Sequence, residues 1–310
     1  MIRRTPLRLA LATAATVVAL SGCATFTNTD VVATVGDEDI DNDDFEVLAD
    51  EFFANPIAFG TTPAVEGRAD GEQSRFLLGL MVLEQLVDQF LDHQGIDASE
   101  IQQTYIDTAL AAPPGADLSD EWQHLIAAID EAPRLQAITM AQVPDIDELR
   151  ALYAENPVTT GLVCTRHILV ETRAEAERVF DELADGADFA ALAIERSIDT
   201  TAAATGGALR SGDNECIPLQ TVLGSFDPGF VAGMLNAREG IPSEPVESSF
   251  GWHVILHRPW DEVAESVGRL HQPGDSGVFL FDGFAATAEV EIDARLGTWD
   301  SISSAVAPIG

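Results

Sequence analysis

Apolar positions divide the chain into segments of helical and of alternating period. Between residues 72 and 94, Phe76, Leu80, Leu83, Val87 and Phe90 recur at helical spacing, which predicts a long helix burying that stripe and ending at Gly95. Upstream, residues 31–40 read as a strand, a Gly36-Asp37 turn and a return strand. Residues 41–53 read as a helix capped by Asp41. Asp97-Ala98-Ser99-Glu100 has the pattern of a capping box, and further helices are expected over 119–141 and 146–155, the latter between Pro144 and Pro157.

The second half changes character. Residues 164–170 and 250–258 are short, β-branched strand runs, each with a histidine set into it. Between them, Thr172 and Glu175 form a capping box for a helix with Val179, Phe180 and Leu183 on its apolar face. Asp188 caps a second helix over 189–196, and a Gly206-Gly207 step leads to a third helix before the closing strand. After residue 261 come a helix-and-loop stretch, polar over 268–277, and a strand where Val290 and Ile292 alternate with acidic residues. The fold class is α+β, with a small sheet carrying packed helices.

A length of 310 residues allows more than one core. The charge is lopsided, with 16 basic residues (all arginine) against 52 acidic, a net −36. That charge repels phosphates and anionic membrane surfaces, which excludes nucleic acid as a partner. It fits either a solvated, salt-adapted surface or an acidic binding face, and composition does not choose between them.

At the N-terminus, Arg3, Arg4 and Arg8 precede an apolar run over 9–20, too short to span a membrane but suited to a signal peptide. Leu20-Ser21-Gly22-Cys23 resembles the bacterial lipobox. That resemblance implies a lipoprotein signal peptide over 1–22 and lipidation of Cys23, which would hold the exported protein on the outer face of the cytoplasmic membrane. An ordinary secretory signal with an incidental cysteine is the other reading. With Cys23 lipidated, Cys164 and Cys216 are the remaining thiols in an oxidising compartment, which argues for a disulfide between them; two separate free thiols are the alternative.

The order Arg-His-Ile-Leu-Val (166–170), Ser-x-Asp (197–199), Gly-Gly-x-Leu (206–209), Phe230 ten residues before Gly240, Ser-Glu-Pro-Val (243–246) and Phe-Gly-Trp-His (250–253) resembles the parvulin-type peptidyl-prolyl isomerases. The resemblance covers residues 161–259. It implies cis/trans isomerisation of X-Pro bonds without a cofactor or metal, a proline pocket of Leu209, Phe226 and Phe230, and a polar group of His167, Asp199 and His253 behind it. The family's Gly-Gly-Asp-Leu-Gly loop becomes Gly-Gly-Ala-Leu-Arg here, which leaves open a binding module without catalysis. Arg173 is the only basic residue in the loop after the first strand, which argues against recognition of phosphorylated serine.

Residues 23–158 resemble the helical client-binding domain of the SurA/PrsA group of exported foldases, through 32–40 and 83–96. Leu-Gly-Thr-Trp-Asp (296–300) is similar to the tail of actinobacterial members. Those likenesses imply unfolded or nascent, proline-containing exported polypeptides as partners. They also imply a 260–310 segment that docks on the N-terminal domain, with the parvulin unit inserted between the two.

Overall fold

In the computed structural model, residues 30–56, 59 and 71–309 are described. The signal segment 1–22, Cys23 and most of the 55–71 loop lie outside the described residues.

The N-terminal part begins with an antiparallel hairpin of β1 (Val31–Val35) and β2 (Glu38–Asp41). Helix α1 (Asn42–Ala54) follows directly. Asp41 is its N-cap residue, but the carboxylate accepts no capping hydrogen bond, so the expected cap is not made. Asp43 and Asp44 in the first turn instead supply the negative charge that a helix N-terminus favours.

Helix α2 (Gly71–Gln94) is rotated from the expected stripe: Phe76 is 54% exposed, while Leu77, Leu78, Met81, Val82, Leu86, Val87, Phe90 and Leu91 are buried. The helix is apolar around much of its circumference, so periodicity alone leaves its rotation open, and packing against its neighbours decides it. Helix α3 (Ser99–Thr108) lacks the expected capping box. Its N-cap is Ala98, and Asp97 accepts the Ser99 N–H at 2.9 Å from outside the helix.

The run expected over 119–141 is two helices, α4 (Asp120–Ile129) and α5 (Glu131–Ile138). Pro133 has no N–H to give, and its ring would collide with the Ile129 carbonyl in a continuous helix. The chain breaks at Asp130, whose side chain accepts from Ala132 N–H at 3.2 Å. Helix α6 (Ile146–Glu155) opens with an Asp145–Glu148 capping box. Trp122 of α4 sits at the centre of this part, stacked on Phe52 and donating from Nε1 to the Leu48 carbonyl at 3.1 Å.

The second part contains β3 (Leu162–Val163), β4 (Thr165–Val170), α7 (Arg173–Ala184), α8 (Phe189–Arg196) and α9 (Thr200–Thr205). It continues through β5 (Ile217–Pro218), α10 (Leu219–Ser225), α11 (Pro228–Leu235), β6 (Val246–Ser248) and β7 (Gly251–His257). Strands β4, β7 and β6 form one antiparallel sheet in that order, and β3 pairs with β5. Side-chain alternation splits the sheet faces. Ile168, Val170, Val254 and Leu256 pack with Val179, Phe189 and Leu192 from α7 and α8, whereas Ile255 meets Phe230, Val231 and Met234 of α11. Cys164 and Cys216, both fully buried, are joined by a disulfide in the structure.

The chain then returns. Helix α12 (Trp260–Leu270) lies against α6, where the Tyr153 hydroxyl donates to the Arg258 carbonyl at 2.7 Å. Helix α13 (Ser276–Thr287) falls in the stretch read as helix and loop; its two glycines and its phenylalanines give no amphipathic stripe. Its glycines serve contact instead: a Cβ on Gly283 would stand 2.3 Å from the Thr159 carbonyl oxygen. Strand β8 (Val290–Ile292) pairs antiparallel with β1, Ala33 opposite Ile292, making a β2-β1-β8 sheet. Strands β9 (Thr298–Asp300) and β10 (Ala305–Ala307) form a hairpin that lays Trp299 and Val306 on the N-terminal core. The two ends of the described chain thus share one sheet, and the β4-β7-β6 unit lies between them in sequence.

Candidate functional site

Six residues named from the sequence meet in one cavity of about 470 Å³ on the α11 side of the small sheet: His167, Asp199, Leu209, Phe226, Phe230 and His253. Their positions follow from local structure. His167 on β4 and His253 on β7 point to the same face, with ring centroids 5.4 Å apart and nearly parallel. Asp199 is the N-cap of α9: Oδ1 accepts from Thr201 and Ala202 N–H, which leaves Oδ2 free to turn to His167 at 3.1 Å. Phe230 rises from α11 and meets both imidazoles edge-on at 5.5 and 5.1 Å, with Phe226 stacked beyond it at 5.6 Å.

Leu209 is set by the glycine step. The His167 N–H donates to the Gly207 carbonyl at 2.9 Å and the Leu209 N–H to the Thr165 carbonyl at 3.0 Å, so the loop runs beside β4. Gly207 has φ +86°, and a Cβ there would lie 2.8 Å from the His167 carbonyl oxygen; both require glycine. The departure from the family pattern begins at Ala208 and continues beyond Leu209. Residues 210–216 turn away from the pocket through a Ser211–Asn214 bridge, an Arg258–Glu215 ion pair at 2.5 Å and the disulfide.

Two contributors were missed in the sequence. Ser248 Oγ lies 2.8 Å from His253 Nε2 and accepts the Phe250 N–H at 3.1 Å. Asp227 caps α11 through Gly229 N–H at 2.8 Å and holds Ser249 by its N–H and hydroxyl at 3.1 and 2.6 Å, fixing α11 to the β6–β7 turn. The bonds from Ser249 and Gly229 keep the Asp227 carboxyl below its ordinary value. An Asp two residues before a helical glycine could have signalled the cap, whereas nothing marked Ser248 out from Ser249.

The polar side chains behind the pocket stand in close contact. His167 Nδ1 lies 3.2 Å from His253 Nδ1. Burial pushes both histidines down, His253 to about 4 with the neighbouring His167 adding to it, so both are neutral near pH 7. Ser248 Oγ, His253 and His167 are linked through His253 Nε2 and the two Nδ1 atoms, while Asp199 Oδ2 stands 3.1 Å from His167 Nε2 without hydrogen-bond geometry, leaving that buried nitrogen unpartnered.

Arg173 is engaged at 2.9 Å by Glu177 and lies over the Trp252 ring, 5.4 Å from its centroid. His257 and His271 stand apart from the cavity, bonded to the carbonyls of Met234 and Thr160 at 3.0 Å each. Among the described residues no group of three or more His, Cys, Asp or Glu is arranged to hold a metal ion. No helix among them is long and apolar enough to cross a membrane.

Residues 165–258 match the family described as Rotamase, PPIC-type PPIASE domain. The foldase protein PrsA of Halalkalibacterium halodurans is 32% identical over 199 residues, covering 57% of this chain and 57% of that protein. PrsA of Clostridium kluyveri is 41% identical over 108 residues, covering 34% of this chain and 28% of that protein. The matches thus span little more than half of these relatives at most. The crystal structure of PrsA from Bacillus subtilis overlaps 82% of this chain and 90% of its own at 20% identity, with a TM-score of 0.29, too loose to carry geometry across. Residues 165–258 are a PPIC-type parvulin domain, in a chain that is similar over part of its length to PrsA foldases.

Proposed function

We propose that the chain is an exported, lipid-anchored foldase. Residues 161–259 isomerise X-Pro peptide bonds without a cofactor, and residues 23–158 together with 260–310 bind unfolded, proline-containing client chains. Cys23 carries the lipid that keeps the protein at the outer face of the cytoplasmic membrane. The observation that carries the reading is the apolar pocket of Leu209, Phe226 and Phe230, backed by the neutral imidazoles of His167 and His253 in contact with each other.

An amide resists rotation by ~18–20 kcal/mol because twisting it destroys resonance. The twisted nitrogen is pyramidal and more basic, and its carbonyl less polar, than in either planar form. A pocket that grips the proline ring through Phe230 and Leu209 removes water from the amide. The buried imidazoles then face it without a full charge. Both effects favour the twisted state over the planar ones, which is the requirement for catalysis. His167, His253 and Asp199 form the site and are not assigned as acid or base.

The test is exchange-spectroscopy NMR on an Ala-Ala-Pro-Phe peptide, with protein from Cys23 onward and the variants Phe230→Ala, His167→Ala and Phe226→Ala. Phe226 is only half-buried, so its variant keeps the fold if Phe230→Ala does not. Accelerated exchange in the wild type, reduced in folded variants, is expected. No acceleration by folded wild type refutes the enzyme. A holdase without catalysis is the second reading, favoured by the altered loop at 208–216; suppression of client aggregation with no exchange acceleration would establish it. Mass spectrometry of the native N-terminus decides lipidation.

A further inference from the structure

A second cleft lies in the N-terminal part, far along the sequence from the parvulin pocket, between β2, α1, α2 and α4. Its volume of about 550 Å³ falls in the range of ~300–1,000 Å³ typical of binding clefts. The floor is apolar: Leu48 and Leu125 are buried side chains of the core, Met81 lies beside them, and Val47 is 56% exposed at the mouth. The rim carries Asp39, Asp44, Glu84, Asp120 and Glu121 from four different elements. Among the described residues no arginine lines it, and the one basic group is His124, which turns Nδ1 to the Asp120 carbonyl at 2.7 Å.

Some carboxylates of the described chain are paired, Glu215 and Glu262 with Arg258, Asp293 with Arg295, Glu182 with Arg196. The rim has no such partner. Glu84 makes no hydrogen bond or ion pair with a described residue, although it stands over the apolar floor. Burial, with Asp88 adding to it and His124 opposing, pushes its carboxyl up to about 7, so a cation brought beside it favours the ionised form.

We propose that this cleft docks client segments in which a lysine or arginine flanks an apolar side chain. The apolar side chain enters over Leu48 and Met81, and the cation meets Glu84 and the surrounding carboxylates. Charge complementarity names the occupant: an acidic or phosphorylated segment would bring like charge onto five carboxylates, and a purely apolar one would leave Glu84 without its counter-ion. The inference rests on the client-binding part of the proposed function and specifies the chemistry of the client.

The experiment is fluorescence anisotropy of labelled Gly-Lys-Leu-Phe-Leu-Lys-Gly and of its counterpart with both lysines replaced by glutamate. The full chain from Cys23 is compared with Glu84→Gln/Asp44→Asn and with Val47→Ser. The wild type is expected to prefer the lysine peptide by about tenfold or more at low salt, an advantage that shrinks at high salt. The carboxylate variant is expected to lose the preference, and Val47→Ser to weaken both peptides. Glu84→Gln removes a carboxyl that burial opposes and Val47 is exposed, so both variants keep the fold. Equal affinity for the two peptides, or variants that bind as the wild type does, would overturn the proposal. So would displacement by calcium chloride beyond that of sodium chloride at matched ionic strength, since the cleft would then be a cation site. A wild type that suppresses client aggregation but shows no charge preference removes this inference and leaves the foldase. A wild type that binds neither peptide nor any client removes both. Isomerase activity on Ala-Ala-Pro-Phe is expected to be unchanged in all variants.

Discussion

Replacing both Cys164 and Cys216 by alanine tests the covalent tie between the first strand of the parvulin unit and the remodelled loop. The two residues are 52 apart in sequence. On the chain-entropy relation, a loop of that length removes ~14 cal/mol/K from the unfolded chain, or ~4 kcal/mol at 25 °C. Both side chains are fully buried among Leu149, Leu162 and Trp260, so loss of their packing adds to the cost. For a unit of this size ~4 kcal/mol corresponds to a fall of roughly 16–30 °C in the melting of the parvulin part. Differential scanning calorimetry of oxidised wild type and the double variant reads this directly, with urea midpoints as a check. The local folds of β4 and β7 are expected to survive, because their ladder does not involve the disulfide. A variant melting within about 3 °C of wild type would refute the reasoning, since even short loops are worth ~3 kcal/mol on this relation. Titration of two free thiols beyond that of Cys23 in unreduced, urea-unfolded wild type would refute its premise.

Three further outcomes follow. Ser248→Ala removes one hydrogen bond to His253 Nε2 and is expected to cost ~1 kcal/mol, about fivefold in kcat/KM, with a changed His253 nitrogen chemical shift as the sign that this bond is lost. Gly283→Ala gains helix propensity, yet its Cβ would stand 2.3 Å from the Thr159 carbonyl oxygen; the variant is expected to melt lower, and a higher melting point would contradict the close packing. Burial pushes His253, His257 and His271 to about 4, so the unfolded chain takes up protons first as pH falls. Stability present above about 6.5 is therefore lost as pH drops through 4. Glu84, held near 7, opposes this: its contribution is complete below 4.5 and lost as pH rises through about 7. Urea midpoints between pH 7 and 5 are thus expected to fall more steeply in Glu84→Gln than in wild type; a shallower fall would show the sign to be wrong.

Helix boundaries were legible where local chemistry decides them, as at Thr172–Glu175 and Asp188, whose capping bonds are made. They were misread where one residue overrides a periodic pattern, as Pro133 does. The rotation of α2 was illegible for a different reason: several helix faces could have been buried, and the choice belongs to the elements that pack on it. Helix α13 was hidden because it is packed by glycine against the 157–161 backbone, a contact with no local signal. In the parvulin unit, His167, Asp199, Leu209, Phe226, Phe230 and His253 could be named because family motifs carry them. Ser248 and Asp227 could not, because their roles depend on a turn that brings β6 against α11.

By itself the sequence determined the α+β class, the two strands that carry His167 and His253, and the apolar residues available for a pocket. These depend on period and on short-range bonding, which the order of residues specifies directly. Only the tertiary structure decided that β8 completes the β1–β2 sheet, that Glu84 faces a cleft with no arginine among its described residues, and that the strand register sets His167 and His253 side by side behind Phe230. Each of these depends on residues distant in sequence being held within a few ångströms, and packing of the whole chain supplies that constraint.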